Sequence, residues 1–326
     1  MYENVKPRII ISKCIEFDKC RYNGQIISSK EIKELIPYVD FIPVCPEVEI
    51  GLGIPRAPIR IVFMDNKNKL IQPETQKDVT KKMRIFSSAF LDSQNEIDGF
   101  ILKSRSPSCG LKDVKIYPGE KQVPPIAKSS GFFGEEVLNR FPNLIIEDEG
   151  RLRNPTIREH FLRTIYTYAL FREVKKSKSL SNLINFHAQQ KFLFMAYNQK
   201  QLKKLGQIVA NINHLAIDEV IKEYETNLSI MFSRSPRCNS NINVLMHSFG
   251  YFKDKLSKKE KSYFLNSIES YRDGRLALAS LISIMKSWII RFDEEYLDKQ
   301  RFFTPYPEKL IHADNIDSCF IRDYWK

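Results

Sequence analysis

Residues 99–110 read GFILKSRSPSCG, a short apolar run closed by Lys103, then serines, Arg105, Pro107 and Gly110 around a single thiol, Cys109. An apolar run of this length bounded by turn residues predicts a buried strand. The pattern recurs. RIIISKC (8–14) ends on Cys14 and DFIPVC (40–45) ends on Cys45, with the helix-period stretches SSKEIKELIPYV (28–39) and KDVTKKMRIFSSAFLDSQNEI (77–97) between the apolar runs. Short apolar runs alternating with helical segments predict βαβ units, hence an α/β domain with a mostly parallel, Rossmann-like sheet. In such a sheet, ligands bind outside the carboxyl ends of the strands. Cys14, Cys45 and Cys109 are therefore expected to converge in space although they are far apart in sequence.

The chain has 326 residues, 43% of them hydrophobic, enough for two domains with ordinary cores. Its N-terminus, MYENVKPRII, lacks the pattern of a signal peptide, and the longest apolar stretch, LALASLISIMKSWII, is interrupted by serines and Lys286. A cytoplasmic protein with no membrane association is the expectation. Six cysteines in so long a chain do not make a disulfide framework. Cys14, Cys20, Cys45 and Cys109 crowd the first third; Cys238 and Cys319 stand alone and are expected to be buried thiols. All five histidines lie beyond residue 150, and the five residues between Cys14 and Cys20 are too many for a zinc knuckle. Spacing alone leaves open an iron-sulfur cluster, a structural zinc, a nucleophilic cysteine or a plain cluster of thiols.

Charge is divided unevenly. Residues 1–150 hold 22 Lys and Arg against 21 Asp and Glu, whereas residues 151–326 hold 29 against 18, so a net +11 of the total +12 sits in the second half. The border is expected near FPNLIIEDEGRLRNPTIREH, which gives domains of 1–152 and 153–326. Beyond it long helical patterns predict an all-α domain from about residue 155 to 315. FHAQQKFLFMAYNQKQLKKLG places Phe192, Met195, Leu202, Leu205 and Val209 on one stripe, and Ser257 with Glu260 forms a capping-box pattern. Its basic clusters, REVKKSK (172–178), KQLKK (200–204), SRSPR (233–237) and KDKLSKKEK (253–261), have aromatic neighbours and suit a nucleic-acid backbone, although a solvated helix face is the plainer use of each.

Four blocks carry a family resemblance. Cys14-x5-Cys20-Arg21-Tyr22-Asn23-Gly24, Cys45-Pro46-Glu47, Gly51-Leu52-Gly53-Ile54-Pro55-Arg56-Ala57-Pro58 and Ser106-Pro107-Ser108-Cys109-Gly110 resemble the signature of the DUF523 family, the thiouracil desulfidase type, with Asn23 where Asp is more usual. The second half resembles the DUF1722 (YbgA-like) domain through Phe186-His187-Ala188 with Lys191, Leu205-Gly206, Asn243-Val244-Leu245-Met246-His247, Gly250-Tyr251-Phe252, Tyr271-Arg272 and Pro305-Tyr306-Pro307. The resemblance implies a [4Fe-4S] cluster held by three cysteines with one iron lacking a protein ligand, and removal of sulfur from a thiouracil without net redox change. For the fused form it implies desulfidation of 4-thiouridine in tRNA, with no nicotinamide or flavin cofactor.

On that footing Cys14, Cys45 and Cys109 are the expected metal ligands, because they end strands, and Cys20 is a nearby catalytic or sulfur-accepting thiol. Glu47 is the expected general acid/base, with Ser106 beside it in the catalytic set. Arg21, Arg56, Arg105 and Ser108 are the expected substrate-binding residues, with ion pairing and turn formation as their plainer uses. His187 and Lys191 share a helix face and receive no role. The rivals are a desulfidase of free thiouracil bases and a non-catalytic RNA-binding protein whose cluster uses all four cysteines.

Overall fold

The computed structural model describes residues 5–119, 124–210 and 214–311. Cys319 and the tail around it lie outside them. The described chain divides into two compact units, Met1–Arg172 and Glu173–Lys326.

In the first unit, nine strands form in chain order: β1 (Arg8–Ser12), β2 (Asp40–Val44), β3 (Arg60–Met64), β4 (Lys67–Gln72), β5 (Lys77–Asp78), β6 (Gly99–Leu102), β7 (Val114–Tyr117), β8 (Ala127–Ser129) and β9 (Ile145–Asp148). Interleaved with them are α1 (Lys30–Leu35), α2 (Pro46–Glu49), α3 (Thr80–Asp92) and α4 (Phe132–Arg140). One sheet is wholly parallel in the order β2-β1-β6-β9. Its strands are apolar on both faces: Ile9, Ile10, Ile11, Phe100, Ile101 and Leu102 are all fully buried, as expected for a parallel sheet covered on both sides.

The second sheet is mixed, in the order β5-β4-β3-β7-β8. Helices α3 and α4 serve both sheets. Leu91, Phe133 and Val137 pack with Ile10, Phe100 and Leu102, whereas Met83 and Phe132 pack with Ile61, Leu70, Val114 and Ile116.

The expected border at 152/153 falls in a short 3-10 turn, Arg151–Arg153, that precedes α5 (Pro155–Ser177). Most of α5 nevertheless belongs to the first unit. It lies against Gly99, where a Cβ would come within 3.0 Å of the Ile145 carbonyl and 3.3 Å of Ile165. The Tyr166 and Tyr168 hydroxyls donate to the carbonyls of Tyr38 (3.0 Å) and Asn143 (2.8 Å), and Arg172 pairs with buried Asp98.

The second unit is helical: α6 (Leu180–Tyr197), α7 (Gln199–Ala210), α8 (Ile217–Met231), α9 (Cys238–Phe249), α10 (Lys258–Arg272), α11 (Leu278–Arg291) and α12 (Glu295–Asp298). The single stripe expected from Phe192 to Val209 is divided. Asn198 is extended (φ −159°) and accepts the Gln201 amide, so Phe192 and Met195 belong to α6, and Leu202, Leu205 and Val209 to α7. An asparagine that caps a new helix with its side chain outweighs the continuity of the apolar pattern. The capping box at Ser257 and Glu260 forms with both of its hydrogen bonds. A large core joins Phe192, Leu245, Phe252, Phe264, Met285, Trp288 and Phe302, and half-buried Cys238 packs on it. Among the described residues no helix is long and apolar enough to cross a membrane.

Candidate active site at the strand ends

Strands β2, β1 and β6 are neighbours in the parallel sheet, and the register that pairs Ser12 with Val44 and Ile11 with Ile101 brings their carboxyl ends level. Cys14, Cys45 and Cys109 follow those ends. They line one pocket of about 330 Å³ together with Cys20, Glu47, Arg56, Ser106 and Ser108. Cys20, which the sequence places in a loop, is only 1% exposed; its thiol neighbours those of Cys14 and Cys45, and the Cys45 thiol donates to its carbonyl oxygen at 3.8 Å.

The Cys109 loop is held by close backbone packing. The amides of Phe133 and Gly134 at the start of α4 donate to the Ser108 carbonyl, that of Phe132 to Pro107, and that of Gly131 to Gly110. This approach requires glycine. A Cβ on Gly134 would lie 2.3 Å from the Gly110 oxygen, and one on Gly131 would lie 2.6 Å from the Ser108 oxygen. Ser106 secures the turn from within, its Oγ accepting the amides of Ser108 (3.3 Å) and Cys109 (3.2 Å).

Glu47 lies in the first turn of α2 and is the hub of the polar network. Its Oε2 accepts from Arg56 Nε (2.9 Å) and Nη2 (2.7 Å), while its Oε1 accepts from Ser108 Oγ (2.8 Å). Ser108 Oγ is in turn 2.9 Å from Ser106 Oγ. A continuous hydrogen-bonded line thus runs Ser106–Ser108–Glu47. Arg56 takes the ion-pairing use. Its side chain, 4% exposed, lines the pocket and is committed to Glu47 and to the carbonyls of Cys20 and Gly53, so it orients the carboxylate. The ion pair of two partly desolvated groups explains why an arginine in a turn-rich loop turns inward. Ser108, 1% exposed, likewise presents its hydroxyl to Glu47 on the pocket wall.

The other arginines differ. Arg105, held at φ +57°, pairs with Asp113 at 3.3 Å and stays largely exposed at the pocket rim. Arg21 also lines the pocket, its guanidinium 5.6 Å from the centre of the half-exposed Tyr22 ring. Asn23 accepts the Gln25 amide at 3.2 Å, an Asx turn that shapes the loop after Cys20. Sequence reasoning missed Ser12, Lys103 and Glu149. Ser12 Oγ caps the Lys103 amide at 2.9 Å and approaches the Cys109 thiol. Lys103, on the pocket wall, is paired with Glu149, which also accepts the Ser104 amide and hydroxyl. Burial opposes ionisation of Glu149, but these donors outweigh it and hold its carboxyl below the usual range. A lysine closing an apolar strand was the available signal.

The thiols are all-sulfur neighbours in a desolvated place. The hydrogen bond with Cys14, together with burial, pushes Cys20 up to about 11, even though its bond with Cys45 pulls the other way. The bond with Cys20 and burial raise Cys45 strongly, and burial pushes Cys109 up to about 12 against the hydrogen bonds of Ser12 and Ser108. Thiolates here call for a compensating positive charge. Among the described residues no three His, Cys, Asp or Glu side chains are arranged to hold a single metal ion. A polynuclear cluster sets a different demand, because its thiolates go to separate irons rather than to one ion, and soft all-thiol donors suit iron and sulfur.

Comparison with known proteins finds a different family for each half of the chain. Residues 9–149 match the family model for 2-thiouracil desulfurase, and residues 191–307 match that for the protein of unknown function DUF1722. The uncharacterized protein YbgA of Escherichia coli (strain K12) is 26% identical over 150 residues, 46% of this chain and 89% of that protein. The uncharacterized protein YbbK of Bacillus subtilis (strain 168) is 32% identical over 109 residues, 31% of this chain and 72% of that protein. Among solved structures, the [4Fe-4S]-dependent thiouracil desulfidase TudS is 27% identical, covers 47% of this chain and 98% of its own, and superposes with a TM-score of 0.37. The chain belongs, through its first half, to the 2-thiouracil desulfurase family, and carries a DUF1722 domain in its second.

Proposed function

We propose that the protein removes sulfur from 4-thiouridine in tRNA, exchanging the thiocarbonyl and water for a carbonyl and hydrosulfide with no net change in electrons. The observation that carries this reading is the single pocket in which four thiols meet the Ser106–Ser108–Glu47 line. In this reading Cys14, Cys45 and Cys109 hold a [4Fe-4S] cluster with one iron free of protein ligands. When bound, such a cluster supplies a soft Lewis acid suited to a thiocarbonyl sulfur.

The rest is the work of the chain itself. Glu47, oriented by two hydrogen bonds from Arg56, takes the proton of the attacking water through Oε1, either directly or through the hydroxyls of Ser108 and Ser106. The same line returns a proton to the departing sulfur. Pro58, Ile59 and Pro107 wall the pocket with apolar surface that keeps bulk water from the ring, and Lys103 and Arg105 stand where uracil oxygens can be met. A net +11 in the second half favours an RNA substrate over a free base.

The test is anaerobic incubation of the reconstituted protein with thiolated tRNA. Loss of 4-thiouridine absorbance is expected; unchanged absorbance with the cluster loaded would overturn the proposal. A second reading is favoured by the burial of Cys20 against Cys14 and Cys45: all four thiols as ligands of a structural cluster. Cys20→Ser separates the two. The three-ligand assignment requires the cluster's visible absorbance to survive the change, whereas the four-ligand one requires its loss.

A further inference from the structure

The mixed sheet carries a row of cations that the thiol chemistry leaves unused. In the antiparallel pair β7–β8, Lys115 stands directly opposite Lys128. In the parallel pair β3–β7, Ile61 is level with Ile116, and one residue earlier Arg60 is level with Lys115. Residues level across adjacent strands share a face, so Arg60, Lys115 and Lys128 form one row across three strands. Like charges directly opposite one another destabilise a sheet. Among the described residues none of the three is paired with a carboxylate. Arg60 instead places its guanidinium 5.0 Å from the centre of the Tyr117 ring.

These side chains line a second cavity, of about 530 Å³, with Arg105 and Asp113. Asp113 is already engaged by Arg105. Pro58, Ile59, Arg105 and Pro107 line both this cavity and the thiol pocket, so the two are neighbours with a common wall. Composition does not explain the row, since residues 1–150 carry a net charge of only +1.

We infer that this cleft is a phosphate subsite, which takes a backbone phosphodiester flanking the thiolated nucleotide while the thiobase occupies the adjoining pocket. The inference rests on the proposed desulfidation of tRNA. Arg60 presents a fork of donors suited to phosphate oxygens, and Lys115 and Lys128 supply point charges whose mutual repulsion an anion relieves. A free thiobase has nothing to place there.

The experiment compares the reconstituted full-length protein with a Lys115→Thr/Lys128→Thr variant on thiolated tRNA, 4-thiouridine 5′-monophosphate and free 4-thiouracil. Retention of tRNA on a filter is measured in parallel, as a readout that needs no turnover. The ratio of kcat/KM for tRNA to that for free base is expected to fall about tenfold, and the salt dependence of tRNA retention to flatten by one to two counterions, roughly one for each lysine lost. The melting temperature is expected to hold or rise, because two opposed charges are removed. An unchanged ratio and salt slope would overturn the inference while leaving tRNA desulfidation standing. A wild-type protein that leaves thiolated tRNA untouched would overturn the proposed function instead, with the filter readout still reporting on the subsite. An equal loss on the monophosphate would overturn the phosphodiester assignment in favour of a terminal phosphate.

Discussion

The two units solve opposite problems with their buried residues. In the first, three buried polar groups gather at the ends of strands: Ser12, Ser108 and Glu149 are all nearly inaccessible and all touch the loop or the thiols of one pocket. In the second, the interior is dominated by aromatic packing, with Phe249 stacked on Phe264 at 5.2 Å and Trp288 5.0 Å from Phe264. The difference separates a polar pocket from an apolar core. One unit accepts desolvated polar groups to fix a reacting geometry, and the other stores stability in apolar area.

That division can be broken by experiment. The largest effect is expected from Glu47→Gln, which keeps the shape and removes the proposed base; kcat for desulfidation should fall by about 10²–10⁴ with the cluster's absorbance retained. Phe264→Ala should instead cost about 3–5 kcal/mol of unfolding free energy in urea, since a fully buried ring leaves a cavity. If Phe264→Ala lowered turnover of free 4-thiouracil as much as Glu47→Gln, the separation would fail.

A smaller effect concerns pH. Burial, reinforced by Lys191, pushes His187 down to about 4, and its Nδ1 lies 3.0 Å from the Tyr224 hydroxyl. A histidine kept neutral in the fold but free to protonate when unfolded contributes stability above about pH 6.5 that is lost as pH falls toward 4, up to roughly 3 kcal/mol. His187→Gln keeps a hydrogen-bonding partner for Tyr224 and does not titrate, so the difference between urea midpoints at pH 7 and pH 5 should shrink. Both tryptophans lie in the second half, which makes their fluorescence a reporter of that unit. The smallest effect, about 1 kcal/mol, is expected from Ser257→Ala, which removes the capping box of α10.

How legible each region was in the sequence follows from its physics. The parallel sheet was readable because strands buried on both faces must be continuous apolar runs, and β1 and β6 are. The convergence of Cys14, Cys45 and Cys109 followed from where such runs end. The mixed sheet gave no comparable signal. Its strands KNKLIQ, KD and AKS are short and polar, and they are held by pairing with β3, β4 and β7 respectively rather than by their own pattern. Contacts across long separations were also out of reach. The meeting of Ser108 with Glu47, 61 residues apart, depends on how two loops lie over one sheet edge, and the inward turn of Arg56 depends on that meeting.

The ion pair between Arg172 and Asp98 bears on how the gene could be cut. Two family blocks end and begin at residues 149 and 191, which invites a break between them. A fragment stopped at residue 152 would keep all four thiols of the pocket and yet deprive buried Asp98 of its guanidinium partner and the Tyr38 and Asn143 carbonyls of theirs. Removing one member of a buried pair costs about 3–5 kcal/mol, a large part of a domain's whole stability. The first half is expected to stand alone only if it carries α5 with it through Arg172, so within the stretch that the two family blocks leave open, the cut that folding respects comes late.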